Sequence, residues 1–483
     1  MPQHNTARSD QATPIPAVAI SARRQTLQGI LDPIGYYRRC FAVHPGVVRV
    51  RMSPTLPPNQ VLVSDPAVLE ELFQRDGRQG VSAPGSLNRL LAQVVGEQSI
   101  LMLEPAPHRQ RRRLLTPPFH GERLKAYGQL ITRLSRKAFA GMRPGQRFEA
   151  RERMQAITMG VILTAVFGLH EGERYQRLET LLHRSLQLRA GRFGSLLLFF
   201  PPLRRNFGRW SPGGRLQRIE QEIRSLLLQE VRERRQLLNQ GEERADVLSL
   251  LLACRDEQGE GLSDRELHDE LLTLLFAGHE TTATALTWAL YWIHRQPQVR
   301  QRLLDELQGL ADSGESDDPE AINRLPYLGA VVNEVLRIHP VAMLLFPRLV
   351  DSNITMGGYA FNAGDVVLGC IQAVHQRPEL YPDPEQFNPD RFLERSYTPS
   401  QFLPFGGGAR RCLGAALAIY EMKLVLAALL QQFSLKLCAS SDREIRARRR
   451  GFTLGPERPV QLEICASAEQ TITLPGFPAR GNA

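Results

Sequence analysis

Phe405-Gly406-Gly407-Gly408-Ala409-Arg410-Arg411-Cys412-Leu413-Gly414 is the stretch from which the rest of this chain is best read. Three consecutive glycines allow a tight turn and close approach of the backbone to a flat ligand. Cys412 follows, and a helix-like run from Ala415 to Leu430 begins just beyond it. The amides and dipole at the start of such a helix favour a thiolate over a thiol. Arg410 can pair with an acidic group on the ligand. A lone cysteine in a Gly-rich turn is ordinarily a small buried hydrophobe, so the fixed offsets of Phe, Gly, Arg, Cys and Gly carry the argument.

Composition suits a large enzyme with a sizeable core. The chain has 483 residues, more than one compact core usually holds, and an ordinary 42% hydrophobic content. Its six cysteines are scattered without a CxxC pair, which fits a reducing compartment and offers no spacing for structural zinc. Reading outward to the N-terminus, Met1 to Ala22 is polar and proline-bearing, so neither a secretory signal nor a membrane anchor is expected, and a cytoplasmic, soluble protein is. Lys and Arg outnumber Asp and Glu by 60 to 50. No nucleic-acid-binding pattern accompanies that excess, so nucleic acid is not an expected partner. A basic face instead suits an acidic electron-transfer protein.

The pattern along the chain is a long helical body with a β-rich minority. Residues 1–30 are expected to be loosely ordered. Val47–Arg51 and Val61–Val63 form a hairpin among Pro54, Pro57 and Pro58. Helical periodicity runs from about Arg123 to Arg255, broken at Gly141–Gly145 and Phe199–Gly214. An uninterrupted helix follows from about Ser263 to Arg295, with Ser263 and Glu266 as a capping box. Another spans Leu325 to Ile338 and stops at His339-Pro340.

Further motifs lie on these elements. Ala277-Gly278-His279-Glu280-Thr281-Thr282 puts a glycine inside the long helix, where it costs about 1 kcal/mol relative to Ala. Small residues at 277 and 278 leave room for a ligand. Thr281 can bond back to a carbonyl one turn earlier. Glu334 and Arg337 are three apart on one helix face, and Phe387-Asn388-Pro389-Asp390-Arg391-Phe392 brings another arginine. His108 and Arg112 are four apart. Alone, each is a common surface pattern.

Together with the Cys412 loop, these motifs closely resemble those of the cytochrome P-450 superfamily, the resemblance running over roughly residues 30–465. It implies a mainly α fold with a smaller β-rich lobe, divided as an N-terminal segment 1–30, a catalytic domain 31–465 and a C-terminal tail 466–483. By that resemblance Cys412 is the axial thiolate of haem b. Phe405 and Gly414 flank it, and His108, Arg112, Arg348 and Arg410 hold the propionates. Thr281 hydrogen-bonds dioxygen at the iron and Glu280 relays protons to it, while His279 is no metal ligand. Glu334, Arg337 and Arg391 form a buried structural network. The implied activity is a monooxygenase inserting one oxygen atom of O2 into an apolar substrate.

Nothing in the chain resembles a flavin or nicotinamide module, so electrons are expected from a ferredoxin and its reductase. The arginines around Arg109–Arg113 and Arg411 are candidate docking charges. The Gly-rich loop with Arg410-Arg411 is also similar to a cyanobacterial branch associated with fatty acids. Long-chain fatty acid hydroxylation is therefore favoured over terpenoid or steroid-type oxidation. A peroxide-driven peroxygenase is disfavoured, because Glu280-Thr281 stands where such enzymes carry Arg-Pro. The pocket would draw on Ser86–Leu103, Phe199–Gly214, Ala277, Thr281, Val341–Phe346 and Phe452–Leu454. The apolar run Ser195–Pro202 is a candidate membrane contact, and a monomer is expected.

Overall fold

The computed structural model describes residues 12–52, 59–169, 172–190, 208, 211–242, 244, 246–255, 259–451 and 453–467. The run Ser195–Pro202, most of Phe199–Gly214, Pro54, Pro57, Pro58, Phe452 and nearly all of the tail 466–483 lie outside the described residues.

The β lobe follows from alternation in two short valine-rich segments. Strand β2 (Val47–Val50) pairs antiparallel with β3 (Gln60–Val63), Val47 opposite Val63. Side chains alternate across a strand. Accordingly Val48, Val50 and Leu62 pack with Tyr36, Tyr37 and Cys40, while Val47, Val61 and Val63 pack with Val68, Leu69 and Leu72. Those partners come from helix α2 (Pro33–Val43), which follows α1 (Ala22–Leu31), on one side and from α3 (Pro66–Arg75) on the other. The sheet is completed by β4 (Val81–Ser82), β5 (Arg348–Val350) and β6 (Val366–Gly369) in the order β2-β3-β6-β5-β4, β3 and β6 running parallel. Within the segment 1–30, residues 12–30 carry regular structure where none was expected. Strand β1 (Thr13–Pro14) pairs with Tyr359–Ala360, and α1 begins at Ala22. Tertiary partners order a polar stretch whose own pattern carries no such signal.

The helical body forms around α8 (Asp264–Arg295). Ser263 and Glu266 make the reciprocal capping box, and every residue from Thr282 to Leu290 is buried. Around it lie α4 (Pro105–Leu115), α5 (Gly121–Ala138), α6 (Ala150–Phe167), α7 (Pro212–Asn239), α9 (Pro326–Ile338) and α10 (Ala415–Gln432). By length and composition α10 could cross a membrane, but 67% of it is buried within the protein, as befits a core helix.

A polar network joins α9 to the segment before the cysteine loop. Glu334 and Arg337 are fully buried, and Glu334 accepts from Arg337 Nε at 2.6 Å and Nη2 at 2.8 Å. Arg391 Nε donates to the same carboxylate at 3.2 Å, as does the Asn388 amide at 2.8 Å. Arg337 also donates to the carbonyls of His375, Pro384 and Gln386. Removing one partner strands a buried charge. Arg337→Ala should therefore cost about 3–5 kcal/mol, read as a large fall in the thermal unfolding midpoint.

Burial is the main cause that keeps several histidines neutral. His279, His339 and His375 are pushed down to about 3 and His294 to about 4, chiefly by desolvation. Their pKa values in the unfolded chain lie near 6.5, so between pH 6.5 and 3 the unfolded state binds more protons. Stability should be full above pH 6.5 and fall as the pH drops toward 3, by about 1.4 kcal/mol per pH unit for each such histidine. His339 stacks on Trp288 with ring centroids 3.6 Å apart. His339→Phe keeps a ring there without a titrating group and should make the pH dependence of the urea midpoint shallower.

Candidate functional site

The cysteine loop is shaped by its contacts with α3. Gly406 and Gly408 have φ of 69° and 62°, which L side chains rarely adopt. Gly407 lies so close to the Phe73 ring that a Cβ would overlap it. These glycines thus serve the turn and the packing against α3. Gly414 differs: its φ of −85° suits any residue, and a Cβ there would meet nothing within 4 Å. The protein leaves free space beside the cysteine.

Cys412 closes the loop by donating its amide to Phe405 O at 2.9 Å. Its side chain is exposed although protein atoms crowd around it. Burial raises the thiol pKa. The Gly414 amide, Arg112 and Arg411 act in the opposite direction and do not prevail. The helix start therefore favours the thiolate as the sequence suggested, but less than burial opposes it. A metal cation at the sulfur reverses that balance, since a coordinating thiol is deprotonated outright.

Cationic groups gather nearby. His108 is 3% exposed and pushed down to about 3 by burial, then by Arg410, Arg112, Arg348 and Arg109. Arg410 falls to about 10, through burial and then Arg348. Arg348 Nε donates to Asp76 Oδ2 at 2.8 Å, and its other two nitrogens donate to Phe346 O and Gly407 O. Arg410 spends its guanidinium on the carbonyls of Ala83, Ile100 and Leu103, so it ties the 83–103 segment to the loop. Arg112 makes one bond, to Arg411 O at 2.6 Å, which leaves it the most donors of the three. Asp76 alone among the described carboxylates bonds this group. The remaining buried positive charge fits a ligand bearing carboxylates.

On α8, Ala277 is exposed although much of the helix is buried. Gly278 differs: a Cβ there would overlap Ile162 of α6, and its smallness serves helix packing. Thr281 Oγ1 donates to Ala277 O at 2.5 Å, the back-bond its sequence suggests. Glu280 is ion-paired with Arg151 and accepts from Gln155 Nε2 at 2.8 Å, both on α6.

Arg111 is a correction. It is 7% exposed and bonds Glu270 at 2.7 Å and Glu266 at 2.5 Å. It sits on the face of α4 turned to α8 and is no docking charge, whereas Arg109, Arg113 and Arg411 are exposed. Sequence reasoning also missed Asp76 and His375. Asp76 accepts from Arg348 and from the Ala409 amide at 2.8 Å. His375 Nε2 accepts from the Leu403 amide at 2.8 Å, just before the loop. No local pattern marks either residue, since each acts across more than 25 positions.

The cytochrome P450 family model matches residues 30–463. The chain belongs to the cytochrome P450 family. It is 35% identical over 415 residues to a Mycobacterium tuberculosis (strain ATCC 25618 / H37Rv) protein named cytochrome P450 135B1, covering 86% of this chain and 84% of that one. To cytochrome P450 138 of the same strain it is 32% identical over 396 residues, with 81% and 84% covered. The crystal structure of the cytochrome P450DA heme domain has the same fold, with a TM-score of 0.78 at 21% identity, covering 94% of this chain and 98% of that one. The retinoic acid-bound cyanobacterial CYP120A1 gives 0.77 at 23%, with 94% and 99% covered. The P450 fold is thus mainly helical with a smaller sheet portion, its cofactor is haem b with cysteine thiolate ligation, and the chain is a monooxygenase-family oxidoreductase.

The Gly278 contact has a direct test. Gly278→Val should cost about 1–3 kcal/mol through overpacking, and adding Ile162→Ala should recover part of that loss, measured as thermal midpoints of the single and double variants.

Proposed function

We propose that Cys412 is the haem ligand of this P450, and that residues 31–465 form the catalytic unit oxidising an apolar substrate, a long-chain fatty acid being favoured. The observation that carries the assignment is that Cys412 has an exposed side chain with Arg112 and Arg411 close enough to act on its sulfur, while Arg112, Arg348 and Arg410 gather about the neighbouring His108. Haem b with a thiolate ligand supplies dioxygen activation and oxygen-atom insertion into unactivated bonds. Arg112 and Arg348 retain N–H groups for the propionates, and neutral His108 supplies one ring donor. Arg410 holds the loop in place as well as adding charge. Phe405 anchors the near end of the loop, and Gly414 leaves room beside the sulfur.

Thr281 holds a proton at Oγ1 beside Ala277. Its hydroxyl is parked on the Ala277 carbonyl and can turn from it to a substrate oxygen. Glu280 is the proton source in this reading, and to serve it must release Arg151 and Gln155. The described parts of the pocket support a greasy substrate: Val341 to Phe346 and Leu454 are mainly apolar, and Leu454 N is tied to Val341 O at 2.8 Å. The fold accommodates an apolar carboxylic acid in the retinoic acid-bound neighbour. Terpenoid or steroid-type substrates are the second reading, on the same apolar lining. Electrons come from an external ferredoxin and reductase, for which exposed Arg113 and Arg411 are the docking charges. The protein works as a cytoplasmic monomer.

Spectral titration of the ferric protein with fatty acids, terpenoids and steroids should show the spin shift most strongly with long-chain fatty acids. A shift confined to steroids would remove the preference. Cys412→His should abolish the thiolate-specific band of the reduced carbon monoxide complex, and retention of band and activity would reassign the ligand. Thr281→Ala should still bind haem and substrate but divert electrons to peroxide, typically with a 10²–10⁴-fold loss where acid–base catalysis is removed. Wild-type coupling in that variant would exclude Thr281.

A further inference from the structure

Large apolar side chains standing in solvent are few among the described residues, and they are not scattered. Leu27 is 57% exposed, Ile30 40%, Leu31 74% and Val43 70%, all on α1 and α2. Only Leu393 joins them elsewhere among the described residues. Helix α1 is inside out. Leu27, Ile30 and Leu31 form a stripe at i, i+3 and i+4, while the positions it buries are Gln25 and Gly29.

Two contacts hold the helix in that orientation. Gln25 Oε1 accepts from Tyr36 Oη and from the Arg51 amide, both at 2.9 Å, and its Nε2 donates to Ile20 O at 2.7 Å. Gly29 lies against Met52 so closely that a Cβ would overlap it. Rolling α1 to bury its leucines would break a saturated buried amide and a close packing contact, so the apolar stripe stays outward.

The stripe has a basic border. From Ala22 to Val43 four arginines (Arg23, Arg24, Arg38 and Arg39) face a single acid, Asp32. Arg23 and Arg24 are exposed one turn before Leu27. Arg39 shares Asp32 at 3.3 Å, and Arg38 lies 4.0 Å from Glu385, both pairs being solvent-exposed and hence weak. An apolar stripe edged with arginines is the signature of a helix lying in a lipid headgroup layer. A second copy fits worse, because a two-fold interface would set this arginine-rich patch against itself.

We infer that the α1–α2 face seats the protein on an anionic lipid surface, with Leu27, Ile30, Leu31 and Val43 entering the headgroup–acyl boundary and Arg23 and Arg24 meeting lipid phosphates. The inner side of α2 packs in one cluster with Met343 and Leu344, so the lipid would lie one helix layer from a segment assigned to the pocket. The inference stands independently of the substrate proposal.

The test is flotation of the haem-loaded, full-length protein with vesicles of phosphatidylcholine alone or mixed with phosphatidylglycerol. The wild type should float with the mixed vesicles and much less with the neutral ones, losing affinity as salt rises. Leu31→Ser, and separately Arg23→Glu with Arg24→Glu, should each weaken binding on the order of tenfold. An unchanged carbon monoxide spectrum shows that the variants remain folded. A wild type that does not float, equal flotation of all variants, or α1 variants that alter only a concentration-dependent dimer in sedimentation velocity would each overturn the inference.

Discussion

Arg337 is a fully buried guanidinium, and the path of the chain from α9 to the cysteine loop depends on it. It neutralises Glu334 and caps three carbonyls of the segment that follows, at residues 375, 384 and 386. A buried cation is tolerated only when its donors are spent and its charge is answered. This one meets both conditions with groups far apart in sequence, which fixes an irregular stretch that no ladder of backbone bonds could hold. His375 carries the constraint onward: its Nδ1 lies 3.1 Å from Arg337 O, and its Nε2 receives the Leu403 amide. Both ring nitrogens are engaged, so the imidazole stays neutral, and Leu403 hands the geometry to the loop that ends in Cys412.

The site combines two opposed electrostatic demands. Burial pushes the Cys412 thiol up, toward its neutral form, while the arginines around His108 concentrate positive charge, with Asp76 their one bonded carboxylate among the described residues. A ligand that brings a metal cation to the sulfur and carboxylates to the arginines answers both at once, and haem b carries both features. The residues that look structural, Asp76 and Arg410, therefore share the work of those assigned to the cofactor, because they position the loop within that field.

The same logic distinguishes the two small residues on α8. Ala277 and Gly278 look equivalent in sequence, but successive helix positions point about 100° apart, so the two face different surroundings. Gly278 meets Ile162 of α6, and Ala277 is left open. Glu280 likewise turns to α6, toward Arg151 and Gln155, while Thr281 stays by Ala277.

Local chemistry determined a good deal from sequence alone. The capping box at Ser263 and Glu266, the stop of α9 before Pro340, the valine-rich hairpin and the Glu334–Arg337 spacing are all short-range features, and each is visible within a few residues. The family motif around Cys412 is equally compact. What only the tertiary structure decided are contacts beyond the reach of local pattern, most of them between segments far apart in the chain. It buried Arg111 against Glu266 and Glu270, although its run looks like a basic surface. It committed Arg410 to backbone carbonyls at 83, 100 and 103, recruited Asp76 and His375, and turned the leucines of α1 outward by anchoring Gln25. In each case the residue type permits several roles, and the choice among them is made by which partner can satisfy a buried charge or amide. That depends on three-dimensional proximity, which periodicity and spacing do not encode.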